Sequence, residues 1–175
     1  MNLSFVRCVD EHAILAASRS GHTNMYHYFD MLPYCLKREP DITPWRNHHN
    51  PIVVLRNPLE RLISTKKMPL YIYDEYHRAT FLNDHSAPYM NSILTGVNFR
   101  IIDFYDLEQY IPRRSDRFQS PRTDSRIDNT TKAEDVYVMN DYFSLQKLQQ
   151  EFDLYKELMM TREKVSVEEW KGLTE

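Results

Sequence analysis

The chain has 175 residues, with 22 lysines and arginines against 25 aspartates and glutamates, and so a formal net charge of −3. This length suits a single domain over residues 1–175, with a core large enough to fold without cross-links. No apolar run approaches the roughly 18 residues that a membrane-spanning helix requires. Two cysteines are too few for a disulfide framework or a thiolate zinc site. We therefore expect a soluble protein in the cytoplasm (the host cytoplasm if the protein is viral), without a membrane partner.

Basic residues concentrate in two stretches of this mildly acidic chain. Residues 36–67 contain seven lysines and arginines against three acidic residues, and residues 113–126 contain five arginines against two aspartates. Local clusters of this kind suit a compact anionic ligand better than a long polyanion. The charge pattern therefore predicts a phosphorylated small molecule and no nucleic-acid partner.

Short apolar runs predict the strands. Residues 2–9 alternate as a strand would, whereas residues 13–17 and 51–55 are continuous apolar runs typical of buried strands. β-branched residues support the second of these runs. Residues 99–104 are a further candidate strand, and residues 136–138 are the last one.

Helical spacing follows most of these strands. A helix is predicted to begin near Thr23 or Asn24 and another over residues 59–67, with Pro58 near its first turn. A short helix is expected over residues 106–110. A long amphipathic one over 141–162 should pack on the core through Leu145, Leu148, Phe152, Tyr155 and Met159. Alternating strands and helices predict an α/β fold in three layers, α/β/α, with a central parallel sheet.

Two polar loops begin where the predicted buried strands end. They cover residues 18–24 and residues 56–64. Because ligands bind at the carboxyl ends of parallel strands, these loops are expected to form one site.

The loop over residues 18–24 has the features of an anion-binding turn. It lies between a strand and a helix N-terminus, where free backbone N–H groups and the helix dipole attract a phosphate. Gly21 allows close approach of the backbone, Thr23 offers a hydroxyl and Arg19 offers a guanidinium fork. The Gly-x-x-x-x-Gly-Lys-Ser/Thr spacing of a Walker A loop is absent. An ordinary strand–helix turn is the alternative.

The second loop combines charge with a directed hydroxyl. Arg56 stands at the tip of a predicted strand, and Ser64 follows one to two turns into the predicted helix. The two side chains are expected to bind one phosphate from two sides. Glu60 and Arg61 are expected to form ion pairs that hold the helix in place, which are structural roles.

Together, Arg19-Ser20-Gly21-His22-Thr23 and the segment from Arg56 to Ser64 resemble the two nucleotide-binding signatures of sulfotransferases that use 3′-phosphoadenosine 5′-phosphosulfate (PAPS). In that family, a Lys/Arg-x-Gly-x-Thr loop holds the 5′-phosphosulfate and an Arg-Asp/Asn-Pro-x-x-Arg-x-x-Ser segment holds the 3′-phosphate. The resemblance runs from about Ala13 to Leu158. It implies a P-loop-NTPase-like sulfotransferase fold, PAPS as cofactor with 3′,5′-adenosine bisphosphate (PAP) as product, and no metal. The implied cofactor-binding residues are Arg19, Ser20, Gly21, His22, Thr23, Asn24, Arg56 and Ser64.

Two further segments are similar to parts of the carbohydrate-type members of that family. Residues 83–88, followed by residues 99–108, resemble a His-x-x-Pro segment, a strand and a Glu-containing helix. Residues 128–131 are similar to a polar loop that closes over the nucleotide. The resemblance therefore implies transfer of a sulfuryl group to a hydroxyl or amine of a small-molecule or glycan acceptor.

The catalytic residues are predicted on chemical grounds within this resemblance. Arg19 stands where the family usually has lysine, and its charge would stabilise the leaving phosphate. An acceptor hydroxyl needs a general base near neutral pH, for which His85 is the first candidate. Weaker candidates for the base are His48, His49, Glu39 and Asp41. The aromatic residues that could line an acceptor site, or simply pack in the core, are Tyr71, Tyr73, Tyr76 and Trp45.

The sequence leaves two other functions open. One is a sulfotransferase-like protein that binds the nucleotide without catalysis. The other is a nucleotide-dependent kinase on a similar fold, against which the missing Walker A lysine counts.

Overall fold

The computed structural model describes residues 3–8, 12–17, 20, 42–67, 82–83, 85–111 and 126–174. The chain divides into two compact units. We call Asn2–Leu55, Gly96–Ser120 and Thr161–Glu175 the sheet unit, and Arg56–Thr95 with Pro121–Met160 the helical unit. The predicted helix after Thr23 lies outside the described residues. That the chain is one domain stays a prediction.

The described residues form strands and helices in the following order along the chain. The elements are β1 (Leu3–Cys8), β2 (Ala13–Ala17), α1 (Thr43–Arg46), β3 (Pro51–Leu55), α2 (Pro58–Lys66), α3 (Met90–Leu94), β4 (Arg100–Asp103), a 3₁₀ turn (Phe104–Asp106), α4 (Leu107–Tyr110), α5 (Ala133–Val136), α6 (Leu145–Thr161) and α7 (Val167–Thr174).

The sheet unit contains a four-stranded sheet in the order β1-β2-β3-β4. The pairs β2–β3 and β3–β4 are parallel, whereas β1 runs antiparallel to β2. The register pairs Ala16 with Val54 and Val54 with Ile102, so the three parallel strands end at one edge. The predicted α/β class with parallel strands is therefore confirmed, as are the strands expected over residues 2–9, 13–17, 51–55 and 99–104.

Aliphatic side chains of the parallel strands form the core of the sheet unit. Ile14, Ile52 and Ile102 are fully buried with Trp170 of α7. The outer edge of β4 is also paired, since the Ile101 N–H donates to Glu163 O (2.9 Å) and the Val165 N–H donates to Ile101 O (2.9 Å). The backbone groups of Ile101 at this edge are therefore already paired and cannot bind another strand.

The helical unit has a core of its own. Leu59 and Leu62 of α2 pack with Leu148 of α6, together with Ala87, Ala133, Val136 and Phe143. The predicted helices over 59–67 and 141–162 are confirmed, with the second beginning at Leu145. Of the residues predicted to pack this second helix on the core, Leu148 is fully buried, whereas Leu145 is exposed. Among the described residues, no helix has both the length and the apolar character that crossing a membrane requires.

The predicted strand over residues 136–138 is wrong. Val136 is the last residue of α5, and its side chain packs in the core of the helical unit. Helix α5 starts directly after Lys132 because the carboxylate of Asp135 accepts the Lys132 N–H (2.9 Å), which satisfies a backbone donor at the start of the helix. The Tyr137 hydroxyl then donates to Phe143 O (2.8 Å) and closes a turn that leads into α6.

Candidate functional site

The segment from Arg56 to Ser64 forms the turn and helix that its sequence predicts. The Asn57 side chain accepts the Leu59 N–H (2.9 Å) as an N-cap, and Pro58 occupies the first helical position, where its missing N–H costs nothing. Arg56 precedes this cap and Ser64 lies in the second turn of α2. Their side chains are 7% and 2% exposed, so both polar groups are held inside the protein.

Two more charged residues of α2 are buried and attach the helix to neighbouring segments. Glu60 Oε1 accepts the Ile127 N–H (3.0 Å). Arg61 Nη1 donates to Ala87 O (2.8 Å), and the guanidinium carbon lies 5.0 Å from the centre of the Tyr89 ring. These contacts agree with the structural roles predicted for both residues.

The segment that contains His85 lies against α2. Residues 82–83 and 85–86 are helical, and the Ala87 N–H donates to Asn83 O (3.0 Å). The Thr65 hydroxyl donates to Arg61 O (2.9 Å), one turn earlier in α2, and also lies 3.3 Å from His85 O, so the backbone of the candidate base is beside the helix that carries Ser64. The His85 side chain itself is half-buried.

The polar loop over residues 128–131 is organised around one carboxylate. Asp128 Oδ1 accepts the N–H (2.9 Å) and the hydroxyl (2.6 Å) of Thr130 and the hydroxyl of Thr131 (3.2 Å). The Thr130 hydroxyl, followed by the other donors, lowers the pKa of the exposed Asp128. Since Ile127 is bonded to Glu60, the residue directly before this loop is attached to α2.

Glu151 of α6 is a buried acid that the sequence alone does not predict. The carboxylate of Glu151, 2% exposed, accepts the N–H groups of Tyr89 (2.6 Å) and Met90. Burial raises the pKa of Glu151 to about 7, against the opposing effects of the Met90 N–H and the Arg61 charge. The available signal is its position three residues after Leu148 and seven before Leu158, on the buried face of the helix.

The first predicted loop begins at the edge of the sheet where the parallel strands end. The Ser20 N–H donates to Ala17 O, the last residue of β2, at 3.0 Å. The Ser20 hydroxyl is fully buried and has no hydrogen-bond partner within the described part of the chain. Arg19, Gly21, His22, Thr23 and Asn24 lie outside the described residues. That the two loops form one site therefore stays a prediction.

The weaker candidates occupy other places. The rings of His48 and His49 stack with centres 4.3 Å apart, directly before the amino end of β3, and His48 Nδ1 accepts the Asn50 N–H (3.0 Å). This is the opposite end of the strand from the one where ligands bind. Trp45 is fully buried and donates to Ile52 O (2.9 Å), so it packs in the core. Glu39, Asp41, Tyr71, Tyr73 and Tyr76 lie outside the described residues.

No group of three or more His, Cys, Asp or Glu side chains that could hold a metal ion occurs in the described ranges. Comparisons of the chain with protein-family models, with curated proteins and with solved structures find no match. The arrangement around α2 therefore has to be interpreted from its own chemistry: a buried arginine and serine on one element, with a histidine segment and a polar loop bonded to that same element.

Proposed function

We propose that the protein is a PAPS-dependent sulfotransferase that transfers a sulfuryl group to a hydroxyl or amine of a small-molecule or glycan acceptor. The proposal includes a P-loop-NTPase-like α/β/α fold and a cytoplasmic location.

The observation that carries the proposal is the set of contacts made by α2. The Thr65 hydroxyl of this helix lies 3.3 Å from the backbone oxygen of His85, and Glu60 accepts the backbone N–H of Ile127, next to the Asp128 loop. The helix with Ser64 thus contacts the His85 segment and the residue directly before the Asp128 loop, and all three segments resemble sulfotransferase elements in the sequence. A chance likeness of separate short motifs would not require them to touch.

The roles of the phosphate-binding residues follow from their chemistry. A buried guanidinium and a buried hydroxyl at Arg56 and Ser64 suit a phosphate monoester, and would distinguish a 3′-phosphorylated nucleotide from ATP. At the first loop, the buried hydroxyl of Ser20 has no hydrogen-bond partner in the described part of the chain, and an anionic oxygen of the nucleotide would accept its proton. Both observations fit a nucleotide that carries a phosphate at each of two positions.

The proposed reaction is an in-line displacement at sulfur. The bond from the acceptor oxygen or nitrogen to sulfur forms while the bond from sulfur to the 5′-phosphate oxygen breaks, so that PAP leaves. Negative charge grows on the leaving phosphate, where Arg19 and the loop N–H groups would stabilise it. His85 would take the acceptor proton as the bond to sulfur forms.

The test is calorimetric titration with PAP, 5′-AMP and ATP. We expect PAP to bind most tightly, and Arg56→Ala to weaken PAP by about ten- to a hundredfold, the effect of losing a charged hydrogen bond of about 1.5–3 kcal/mol. Lys147→Ala, which removes an exposed charge from α6, is the matched control and should leave PAP affinity unchanged.

Ser64→Ala serves as a second variant, because the loss of one hydroxyl perturbs the fold less than the loss of a buried arginine. Equal or absent binding of the three nucleotides would contradict the proposal. PAP binding without sulfuryl transfer from PAPS to any acceptor would instead identify a non-catalytic nucleotide-binding protein.

A further inference from the structure

An open groove of about 560 Å³ crosses the surface of the helical unit. Its lining residues are Lys132, Glu134, Leu145, Gln146, Gln149 and Gln150. The volume lies within the range of roughly 300–1,000 Å³ typical of small-ligand sites. None of these residues belongs to the phosphate-binding motifs described above.

Half of the residues that line the groove carry side-chain amides. Gln146, Gln149 and Gln150 are spaced three and four residues apart on α6, so they share one face of the helix. Gln149 Nε2 donates to Asp153 Oδ1 (3.0 Å), which orients that amide and leaves its oxygen to accept. Gln146 and Gln150 make no side-chain hydrogen bond to any described residue. Each amide both donates and accepts, as sugar hydroxyls do.

The charges of the groove offset each other. Lys132 Nζ lies 4.0 Å from Glu134 Oε1, and both side chains are mainly exposed. An anionic ligand would be attracted by one residue and repelled by the other, so the lining favours a neutral ligand.

Apolar surface for a sugar ring is available at the start of α6. Leu145 is 36% exposed within the groove, and Tyr142, three residues earlier, is 43% exposed. Sugar rings present C–H faces that pack on such groups while their hydroxyls bind polar neighbours. Because amides, balanced charges and the exposed Leu145 line one groove, with Tyr142 three residues before Leu145, we propose that this groove binds a neutral oligosaccharide.

The inference deepens the proposed function and rests on it in one respect, namely that the oligosaccharide is part of the sulfuryl acceptor. Lys132 directly follows the loop over residues 128–131, and Ile127, directly before that loop, is bonded to Glu60 of α2. The groove and the helix with Ser64 are therefore linked within one unit. Oligosaccharide binding itself requires no nucleotide.

The test is a titration of isotope-labelled protein, without nucleotide, followed by NMR. The probes are cellotetraose and tetra-N-acetylchitotetraose, which are neutral, and tetragalacturonic acid, which is charged. We expect at least one neutral tetrasaccharide to give saturable shifts at residues 132–134 and 145–150. The double variant Gln146→Ala/Gln150→Ala should weaken this binding about five- to tenfold, as expected when neutral hydrogen bonds are lost.

Two exposed substitutions outside the groove serve as controls: Lys147→Ala on the same helix and Gln109→Ala in α4. Both should leave binding unchanged. The proposal is overturned if neither neutral probe binds, if only the charged probe binds, or if the double variant binds as tightly as the parent. Oligosaccharide binding without PAP binding would instead contradict the sulfotransferase proposal and leave the groove assignment standing.

Discussion

The buried carboxylate of Glu60 accepts the backbone N–H of Ile127 at 3.0 Å, although the two residues are 67 positions apart in the chain. Glu60 is one helical turn before Ser64, and Ile127 is next to Asp128. This hydrogen bond therefore holds the residue before the polar loop against α2, the helix that carries Ser64, which is proposed to bind the 3′-phosphate.

We expect Glu60→Ala to destabilise the protein by about 1–3 kcal/mol, the cost of leaving a buried donor unsatisfied. Glu60→Gln keeps an acceptor oxygen for the Ile127 N–H and should cost less. Urea unfolding measures both, with the exposed Glu168→Ala as control. Equal stability of Glu60→Ala and the control would show that the bond contributes nothing to folding.

Stability is expected to fall as pH rises from about 4.5 to about 7 because of Glu151. Burial raises the pKa of this carboxyl from its ordinary value near 4.5 to about 7 in the folded protein, so the folded state binds a proton that the unfolded state releases. The stabilisation is complete below the unfolded pKa and is lost as pH rises through the folded one. At roughly 1.4 kcal/mol per pKa unit, the effect is at most on the order of 3 kcal/mol.

Urea unfolding between pH 4.5 and 8 measures this dependence. Glu151→Gln removes the titrating group and should flatten the curve over that interval. The control is Glu157→Gln, at an exposed position of the same helix. A parent protein whose stability rises between pH 5 and 7 would contradict a raised pKa of Glu151 as the dominant pH-dependent contribution.

Arg61 is expected to hold down the pKa of Glu151, since its positive charge favours the carboxylate. Removing that charge in Arg61→Ala should therefore move the loss of stability to a higher pH. It also removes the bond to Ala87 O and the contact with the Tyr89 ring, at a cost of about 1.5–3 kcal/mol.

A double-mutant cycle with Glu151→Gln isolates the interaction between the two residues. Additive effects on the free energy of unfolding would show that Arg61 stabilises the protein without acting on Glu151. The expected outcome is a positive coupling above about pH 7 that disappears as the pH falls below this value, where Glu151 of the folded protein is protonated.

The elements best predicted from the sequence are those in which local chemistry and tertiary packing agree. The apolar run of β3 and the Asn57-Pro58 start of α2 carry their own signals, and the structure follows them. The β-branched residues around position 137 predict a strand, whereas Asp135 bonds the Lys132 N–H and starts a helix. The burial of Glu151 depends on donors 61 and 62 positions away, which no local pattern contains.

Ser20 provides the sharpest distinction between a structural and a binding role. Its hydroxyl is fully buried and has no hydrogen-bond partner in the described part of the chain, which costs about 1–3 kcal/mol in the protein without ligand. Ser20→Ala should therefore leave the free energy of unfolding unchanged or raise it. The same substitution should weaken PAP binding, because the proposed ligand would accept a hydrogen bond from this hydroxyl.

Ser86→Ala is the matched control, since this buried hydroxyl already donates to Leu82 O within the protein. It should lower the melting temperature and leave PAP affinity unchanged, the opposite of the result expected for Ser20. Thermal unfolding and calorimetry on the same samples separate the two cases. If Ser20→Ala instead lowers stability and binds PAP like the parent, the Ser20 hydroxyl belongs to the fold and the first loop loses its structural support as a phosphate site.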